Sequence, residues 1–238
     1  MYSEAIEKFF DALDKGDLET VYNMFSSEAK EKDGNLSSDI DKLLEVYEGP
    51  CDGIGFDGML STQEHIEHGK KKGLACTVFP VRCGETYYWC NLGLIYRNTL
   101  DESGTGIAFA EFFTADEYLF LRDGEKFKEA PGLTVHAERT AECEIRAIDG
   151  NAFEYTRMER TIDIEEVKSF LKNNRKTEDF LERFGEPNAE DIYLYYELPS
   201  ENGKPRYLRI DSGRISYACI TDDFGETETV WQAPKPLI

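Results

Sequence analysis

The sequence is short of positive charge, of histidine and of tryptophan, and it has no long apolar run. Against 48 Asp and Glu stand 27 Lys and Arg, a formal charge of −21 at neutral pH. Such an excess repels phosphate backbones and anionic lipid. It disfavours nucleic acid and membrane as partners and leaves room for a cation or a basic protein. The longest apolar stretches, such as Leu92 to Tyr96, fall far short of the ~20 residues that a membrane-crossing helix needs. No membrane insertion is expected. An amphipathic helix starts at once, with no basic segment and apolar core of a signal peptide before it. The expectation is a cytoplasmic protein, or an extracytoplasmic one if a leader has been removed.

The chemistry-bearing motifs are also missing. The six cysteines are Cys51, Cys76, Cys83, Cys90, Cys143 and Cys219, with no CxxC pair among them, so zinc-ribbon and thioredoxin-type sites lack their signature. A chain this long does not need disulfide staples, and most of the six read as small buried apolar residues. Cys76, Cys83 and Cys90 fall near one hairpin, where a local bridge is conceivable. His65 and His68 stand at i, i+3 and on a helix would share a face with Glu64 or Glu67. No third ligand follows by spacing, and Lys70, Lys71 and Lys72 would oppose a cation, so neither metal nor cofactor is expected. Gly53, Gly55 and Gly58 lack the spacing of a dinucleotide-binding turn. The Asp223-Phe224-Gly225 string within Asp222 to Glu226 has none of its kinase companions and reads as a hairpin turn. No catalytic residue is assigned.

Bulk is present. Hydrophobic residues make up 40% of the chain, with 13 Tyr and 15 Phe, enough for a buried core. Ala5, Ile6, Phe9, Phe10 and Leu13 make the apolar stripe of a helix from Glu4 to Asp14. Gly16 ends it, and Asp17 caps a second helix carrying Leu18, Val21, Phe25 and Ala29. Ser37 or Ser38 caps a third, with Ile40, Leu43, Leu44 and Tyr47 inward and Gly49-Pro50 beyond its end. An irregular strand from Cys51 to Met59 follows, then a polar segment from Ser61 to Lys72. Strands are expected at Thr77–Arg82, Thr86–Arg97, Ile107–Thr114 and Tyr118–Leu121. The loop around Asp101, Glu102 and Ser103 and the Arg122–Lys126 turn separate some of them. Residues Glu129 to Thr140 read as a connection. A hairpin around Asp149-Gly150-Asn151 joins Glu142–Ile148 to Phe153–Arg160, and its ownership is open. Helices starting at the Asp163/Glu166 capping box and at Thr177 come next. Four strands at Ile192–Leu198, Arg206–Ile210, Ile215–Thr221 and Thr227–Trp231 close the chain as a meander, with turns at Asn202-Gly203, Ser212-Gly213 and Phe224-Gly225. Two helices must cover one face of that sheet.

The stretch from Ile6 to Val21 (Ile-Glu-Lys-Phe-Phe-Asp-Ala-Leu-Asp-Lys-Gly-Asp-Leu-Glu-Thr-Val), with Met24-Phe25-Ser26 and the Gly106-Ile107 strand, resembles the nuclear transport factor 2-like (cystatin-like) domains of uncharacterised bacterial proteins. The resemblance covers roughly residues 1–127 and implies short helices over a curved antiparallel sheet, a cone with a pocket. Phe180 to Asn188, with Tyr195 to Leu198 and Tyr207 to Ile210, is similar to the β-lactamase-inhibitor-protein-like fold, shared with small outer-membrane assembly lipoproteins. That likeness implies two helices on a four-stranded sheet and mostly protein-binding members. The expected architecture is α+β: a cone domain over 1–130, a connection and hairpin over 131–160, and a smaller α+β domain over 161–238.

The strand from Thr86 to Arg97 is the most informative segment. Tyr88, Cys90, Leu92, Leu94 and Tyr96 alternate with Tyr87, Trp89, Asn91, Gly93 and Ile95. Both sets are partly apolar, so both faces are expected to be covered. Tyr88 and Tyr96, with Glu111, are the candidate ligand-binding residues. Tyr87, Trp89 and Ile95 are the candidate interface. Glu111 lies among Phe109, Phe112 and Phe113, where burial would raise its pKa. The leading expectation is a non-enzymatic protein that binds a small molecule or a protein partner. One alternative is a cone-fold enzyme with Glu111 as base and Tyr88 or Tyr96 as donor. Another is an assembly module whose Trp89 face makes a homodimer.

Overall fold

The computed structural model describes residues 2–56, 60–100, 104–122, 127–225 and 227–234. The expected features at Gly58 and Met59, at 101–103, at 123–126 and at Glu226 lie outside the described residues. Helices and antiparallel sheets make an α+β chain. It divides into two compact units, Met1–Thr140 and Ala141–Ile238.

In the first unit, α1 (Tyr2–Asp14) buries Ile6, Phe9, Phe10 and Leu13, the i, i+3, i+4, i+7 stripe of its sequence. The Asp17 side chain accepts from Thr20 N at 3.0 Å and starts α2 (Leu18–Met24). The periodicity runs on to Ala29, but the helix does not. Phe25 is extended and buried, bridged in parallel to Ile107. Ser26 N donates to Ile107 O at 2.9 Å. Ser26 Oγ then accepts from Ala29 N at 3.2 Å to start α3 (Ser27–Lys32). Pairing with a strand thus overrides local helical pattern. Gly106 permits it: its φ is +128°, and a Cβ there would stand 2.7 Å from Met24 O. Helix α4 (Leu36–Val46) begins at Asn35, ahead of the expected serine caps, and buries Leu36, Ile40 and Leu43.

A six-stranded sheet follows. Strands β1 (Gly53–Ile54), β2 (Ser61–Glu67), β3 (Lys70–Cys83), β4 (Thr86–Asn98) and β5 (Gly106–Thr114) are antiparallel to their neighbours. After α5 (Ala115–Arg122), β6 (Gly132–His136) adds to β5 in parallel, giving the order β1-β3-β4-β5-β6 with β2 also on β3. Five expectations are corrected here. Among the described residues, the irregular strand expected from Cys51 shrinks to β1. The polar segment Ser61–Lys72 is β2, the turn at His68-Gly69 and the start of β3, held by backbone pairing with no apolar alternation to announce it. His65 lies in β2 and His68 in the turn with φ 49°, so the two never share a helix face. Tyr118–Leu121 is helical, started by Asp116 and Glu117 in the first turn, where negative charge favours a helix N-terminus. Within the expected connection, residues 132–136 are an edge strand. Pro80 sits in β3 beyond the β2 pairing and before the β1 pairing, where no N–H is needed.

A bulge at Gly93/Leu94 of the β4–β5 ladder puts Ile107 on the same face as Ala110 and Phe112. With Phe79, Val81, Tyr88, Cys90, Leu92, Leu133 and Val135 they form the face under α1–α4, filled by Phe9, Phe10, Tyr47 and Leu43. Each such buried side chain contributes about 1.5–3 kcal/mol.

In the second unit, β7 (Glu144–Ile148) and β8 (Asn151–Tyr155) form the hairpin, with Asp149 and Gly150 at φ 55° and 79°. Asp163 caps α6 (Ile164–Leu171). Helix α7 (Thr177–Phe184) is preceded by Lys176, and Thr177 instead turns its hydroxyl to Gly213 O. Strands β9 (Ala189–Glu190), β10 (Tyr193–Glu201), β11 (Lys204–Asp211), β12 (Tyr217–Thr221) and β13 (Thr227–Gln232) make an antiparallel meander in the order β13-β12-β11-β10-β9. Asn202, Gly203 and Gly225 take positive φ. Val167, Leu171, Phe180 and Phe184 pack on one sheet face against Leu194, Tyr196 and Leu208. Ile148, Phe153 and Tyr155 of the hairpin pack on the other, against Tyr195 and Tyr207.

Candidate functional site

Tyr88 and Glu111 do not share a pocket. Tyr88 lies under the helices, where its hydroxyl donates to Val46 O at 3.0 Å and accepts from Glu48 N at 2.9 Å. Burial, above all, pushes this phenol up to about 12. Its polar atom is spent on the end of α4. Tyr96, on the same face and half-buried, lies across Gly73, with its hydroxyl 3.4 Å from Glu64 Oε1. Glu111 stands opposite Asn91 in the β4–β5 ladder, on the face away from α1–α4. The expected Glu111–tyrosine arrangement is therefore corrected: strand alternation separates the two sets by the thickness of the sheet.

The face that carries Glu111 is covered as well. Tyr87, Trp89 and Ile95 are 6%, 0% and 2% exposed. The Trp89 indole stacks on Tyr118 of α5 at 4.7 Å between centroids. The chain itself closes over the residues expected to form an interface.

Glu111 is 1% exposed yet ionised. Burial pushes its carboxyl up, but nearby donors outweigh it and hold the group below its ordinary value. The hydrogen bonds come from the Lys128 amide at 2.8 Å, the Glu129 amide at 3.2 Å and Asn91 Nδ2 at 3.0 Å, and the His136 imidazole, 3.8 Å away, acts in the same direction. The expected rise is corrected, because hydrogen bonds to the charged form favour it. His136 Nε2 is 3.8 Å from Glu111 Oε1, within ion-pair reach but too far for a hydrogen bond, and has no hydrogen-bond partner among the described residues. The imidazole stacks on Phe113 at 4.4 Å with an interplanar angle of 4°.

These two groups border a cavity of about 400 Å³. Around it α4 contributes Asp39 and Lys42, α5 contributes Glu117 and Leu121, and the segments about β6 contribute Lys128, Glu138 and Arg139. The framework is tied by polar contacts. Lys42 Nζ donates to Val135 O at 2.9 Å. Glu117 Oε1 accepts from Glu138 N and Arg139 N, each at 2.7 Å. Asp33 Oδ2 accepts from Leu133 N at 3.1 Å, fixing the start of β6. Lys42, Lys128, His136 and Arg139 line the cleft together with four carboxylates, Asp39, Glu111, Glu117 and Glu138. Of the residues singled out from sequence, only Glu111 lines it. The alternation Leu133-Thr134-Val135-His136 is too short to announce a strand, and behind Pro131-Gly132 it reads as part of a connection.

Residues 8–115 match the model of a family described as a domain of unknown function (DUF5104). The match runs from α1 to the start of α5. It includes Asp39, Lys42, Glu111 and Phe113 and stops short of His136. No curated protein matches the chain. Among the described residues no helix is long and apolar enough to cross a membrane, and no cluster of three or more His, Cys, Asp or Glu could hold a metal ion.

Proposed function

We propose that the first unit binds a small polar molecule carrying an anionic group, in the cleft between α4, α5 and β6. The observation that carries this reading is the unpartnered His136 Nε2 beside the buried, ionised Glu111 at the wall of a 400 Å³ cavity. A buried polar atom without a partner costs about 1–3 kcal/mol, and a ligand hydroxyl or amide at this wall relieves that cost. Lys42, Lys128 and Arg139 suit a carboxylate or phosphate at the other end. The volume falls in the usual range for small-molecule sites. Binding without turnover is favoured over base catalysis, since both Glu111 oxygens already accept hydrogen bonds and its proton affinity is lowered. Helices α1–α4 on one face of an antiparallel sheet support the likeness to nuclear transport factor 2-like domains. The pocket proposed lies at the β6 edge of the sheet, between α4 and α5.

The test is calorimetric titration of the purified chain with a panel of small hydroxy acids, amino acids and sugar phosphates. A binder should lose about five- to tenfold in affinity in His136→Ala, the weight of one good hydrogen bond. A binder unaffected by His136→Ala and Lys42→Ala would move the site elsewhere. No binding across the panel at millimolar concentration would remove the reading.

A further inference from the structure

A second polar cluster lies at the opposite edge of the first unit's sheet, outside the cleft. Gly53 of β1 is opposite Arg82 of β3, and Asp52 N donates to Arg82 O at 2.9 Å. This register carries Cys51 past Arg82 to the level of Cys83. Both side chains pack on the core under α1–α4, near enough for each thiol to shift the other's pKa. Cys83 is buried at 6% exposure and Cys51 is half-buried. The backbone of Cys51 is held by Asp14, whose oxygens accept its amide at 3.0 and 3.2 Å, and Asp14 also takes the Tyr47 hydroxyl at 2.6 Å. Cys51 Sγ is also 3.5 Å from Gly53 O. The bridge conceivable within Cys76, Cys83 and Cys90 has no such geometry: Cys90 is opposite Phe79, and Cys76 is opposite Gly93.

The asymmetry of the pair assigns the roles. The Cys83 thiol is the largest influence on Cys51, and it holds the Cys51 thiol below its ordinary value despite burial and the nearby Asp14 and Asp52. The Cys51 thiol, with burial, pushes Cys83 up. Cys51 is also the sulfur that solvent reaches, while Cys83 is buried. Exposed thiolates are the ones that peroxide oxidises.

We propose that Cys51 and Cys83 are a peroxide-reactive pair that forms an intrachain disulfide, with Cys51 attacked first. The Cys51 thiolate displaces hydroxide from hydrogen peroxide and becomes a sulfenic acid. Cys83 sulfur then attacks that sulfur, its proton leaves with the departing hydroxyl as water, and the S–S bond forms. In sum two thiols and one peroxide give one disulfide and two waters, with the peroxide reduced.

The experiment treats the reduced full-length chain with hydrogen peroxide, alkylates remaining thiols and maps peptides without reduction. The expected product links Cys51 to Cys83, resolved by fragmentation from Cys90 in the same tryptic peptide. Cys51→Ser should abolish the link and leave Cys83 alkylated. Cys83→Ala should let dimedone trap a sulfenic acid on Cys51. If that variant does not fold, a dimedone time course on the unsubstituted chain decides the order, with an adduct on Cys51 supporting it and one on Cys83 overturning it. Recovery of Cys51 as alkylated thiol or sulfinic acid, or linked to Cys143, would overturn the pair.

Discussion

The Trp89 indole and the Tyr118 ring lie parallel, their planes 4° apart and their centroids 4.7 Å apart. This one contact decides what the second face of the sheet is for. It fastens α5 across β4 and leaves Trp89 with no exposed surface. Tyr118→Ala should then cost about 2–4 kcal/mol, from lost burial and stacking together. The chain has two tryptophans, Trp89 in the first unit and Trp231 in the second. Urea unfolding followed by Trp89 emission in a Trp231→Phe background reads the loss in the first unit alone. Sedimentation should be unchanged. A variant of unaltered stability but altered oligomeric mass would instead make this face a subunit contact.

Glu111 gives the first unit a pH dependence whose sign follows from its environment. The folded-state pKa lies below the ordinary 4.5. The unfolded chain therefore takes up the proton first as pH falls, and the stabilisation is complete only above that value. It is lost as pH drops from about 4.5 through the folded-state value. Glu111→Gln should destabilise by about 1–3 kcal/mol at pH 7, because an amide cannot accept from all the donors that now converge there. The gap between variant and unsubstituted chain should narrow as pH falls toward 3. A gap independent of pH over that range would show that Glu111 is not held ionised by these donors.

Much of the fold is legible in the sequence wherever a pattern is both local and apolar. The stripe Ile6-Phe9-Phe10-Leu13 places α1, and the alternation from Thr86 to Arg97 places β4 with both faces covered. Asn202-Gly203 and Asp149-Gly150 locate two hairpins. Misreadings cluster where a partner distant in sequence decides. Phe25 leaves the helix because Ile107 pairs with it. The Ser61–Glu67 arm is a strand because β3 holds its backbone. Residues 132–136 become β6 because β5 offers a free edge. The same limit hides the cleft. Glu111 stood out as a charge among aromatics, but His136, Lys42 and Arg139 reach it only through the parallel β5–β6 pairing. No spacing in the chain encodes that contact.

Gly106 is predicted to be irreplaceable by any residue with a Cβ. Its φ of +128° is strained for an L side chain, and the added carbon would meet Met24 O at 2.7 Å and Ser26 N at 3.1 Å. Gly106→Ala should cost at least about 1–3 kcal/mol. It should also loosen the Ser26–Ile107 hydrogen bond that separates α2 from α3. Hydrogen exchange at the Ser26 amide reads this directly. Its protection should fall more than that of the Phe79–Cys90 ladder, and equal losses at both would point to global destabilisation only.

Arg146 in the second unit tests how far a partly buried charge can be replaced by packing. Its guanidinium donates to Glu144 Oε1 at 2.7 Å and Glu197 Oε1 at 2.9 Å, and lies 4.0 Å over the Tyr155 ring. Tyr155 hydroxyl donates to the other Glu197 oxygen at 2.5 Å. Arg146→Ala removes the cation and leaves two carboxylates facing each other beside the hairpin. Glu197 is 40% exposed, so solvent softens the penalty to about 1–3 kcal/mol. Arg146→Met keeps the stem over Tyr155 and should recover part of the loss. Arg146→Met combined with Glu197→Gln should recover more, since no carboxylate is then left unpaired at that position. Urea unfolding followed by Trp231 emission in a Trp89→Phe background separates the cases. If the double variant is no more stable than Arg146→Ala, stacking on Tyr155 and not charge pairing is what Arg146 contributes.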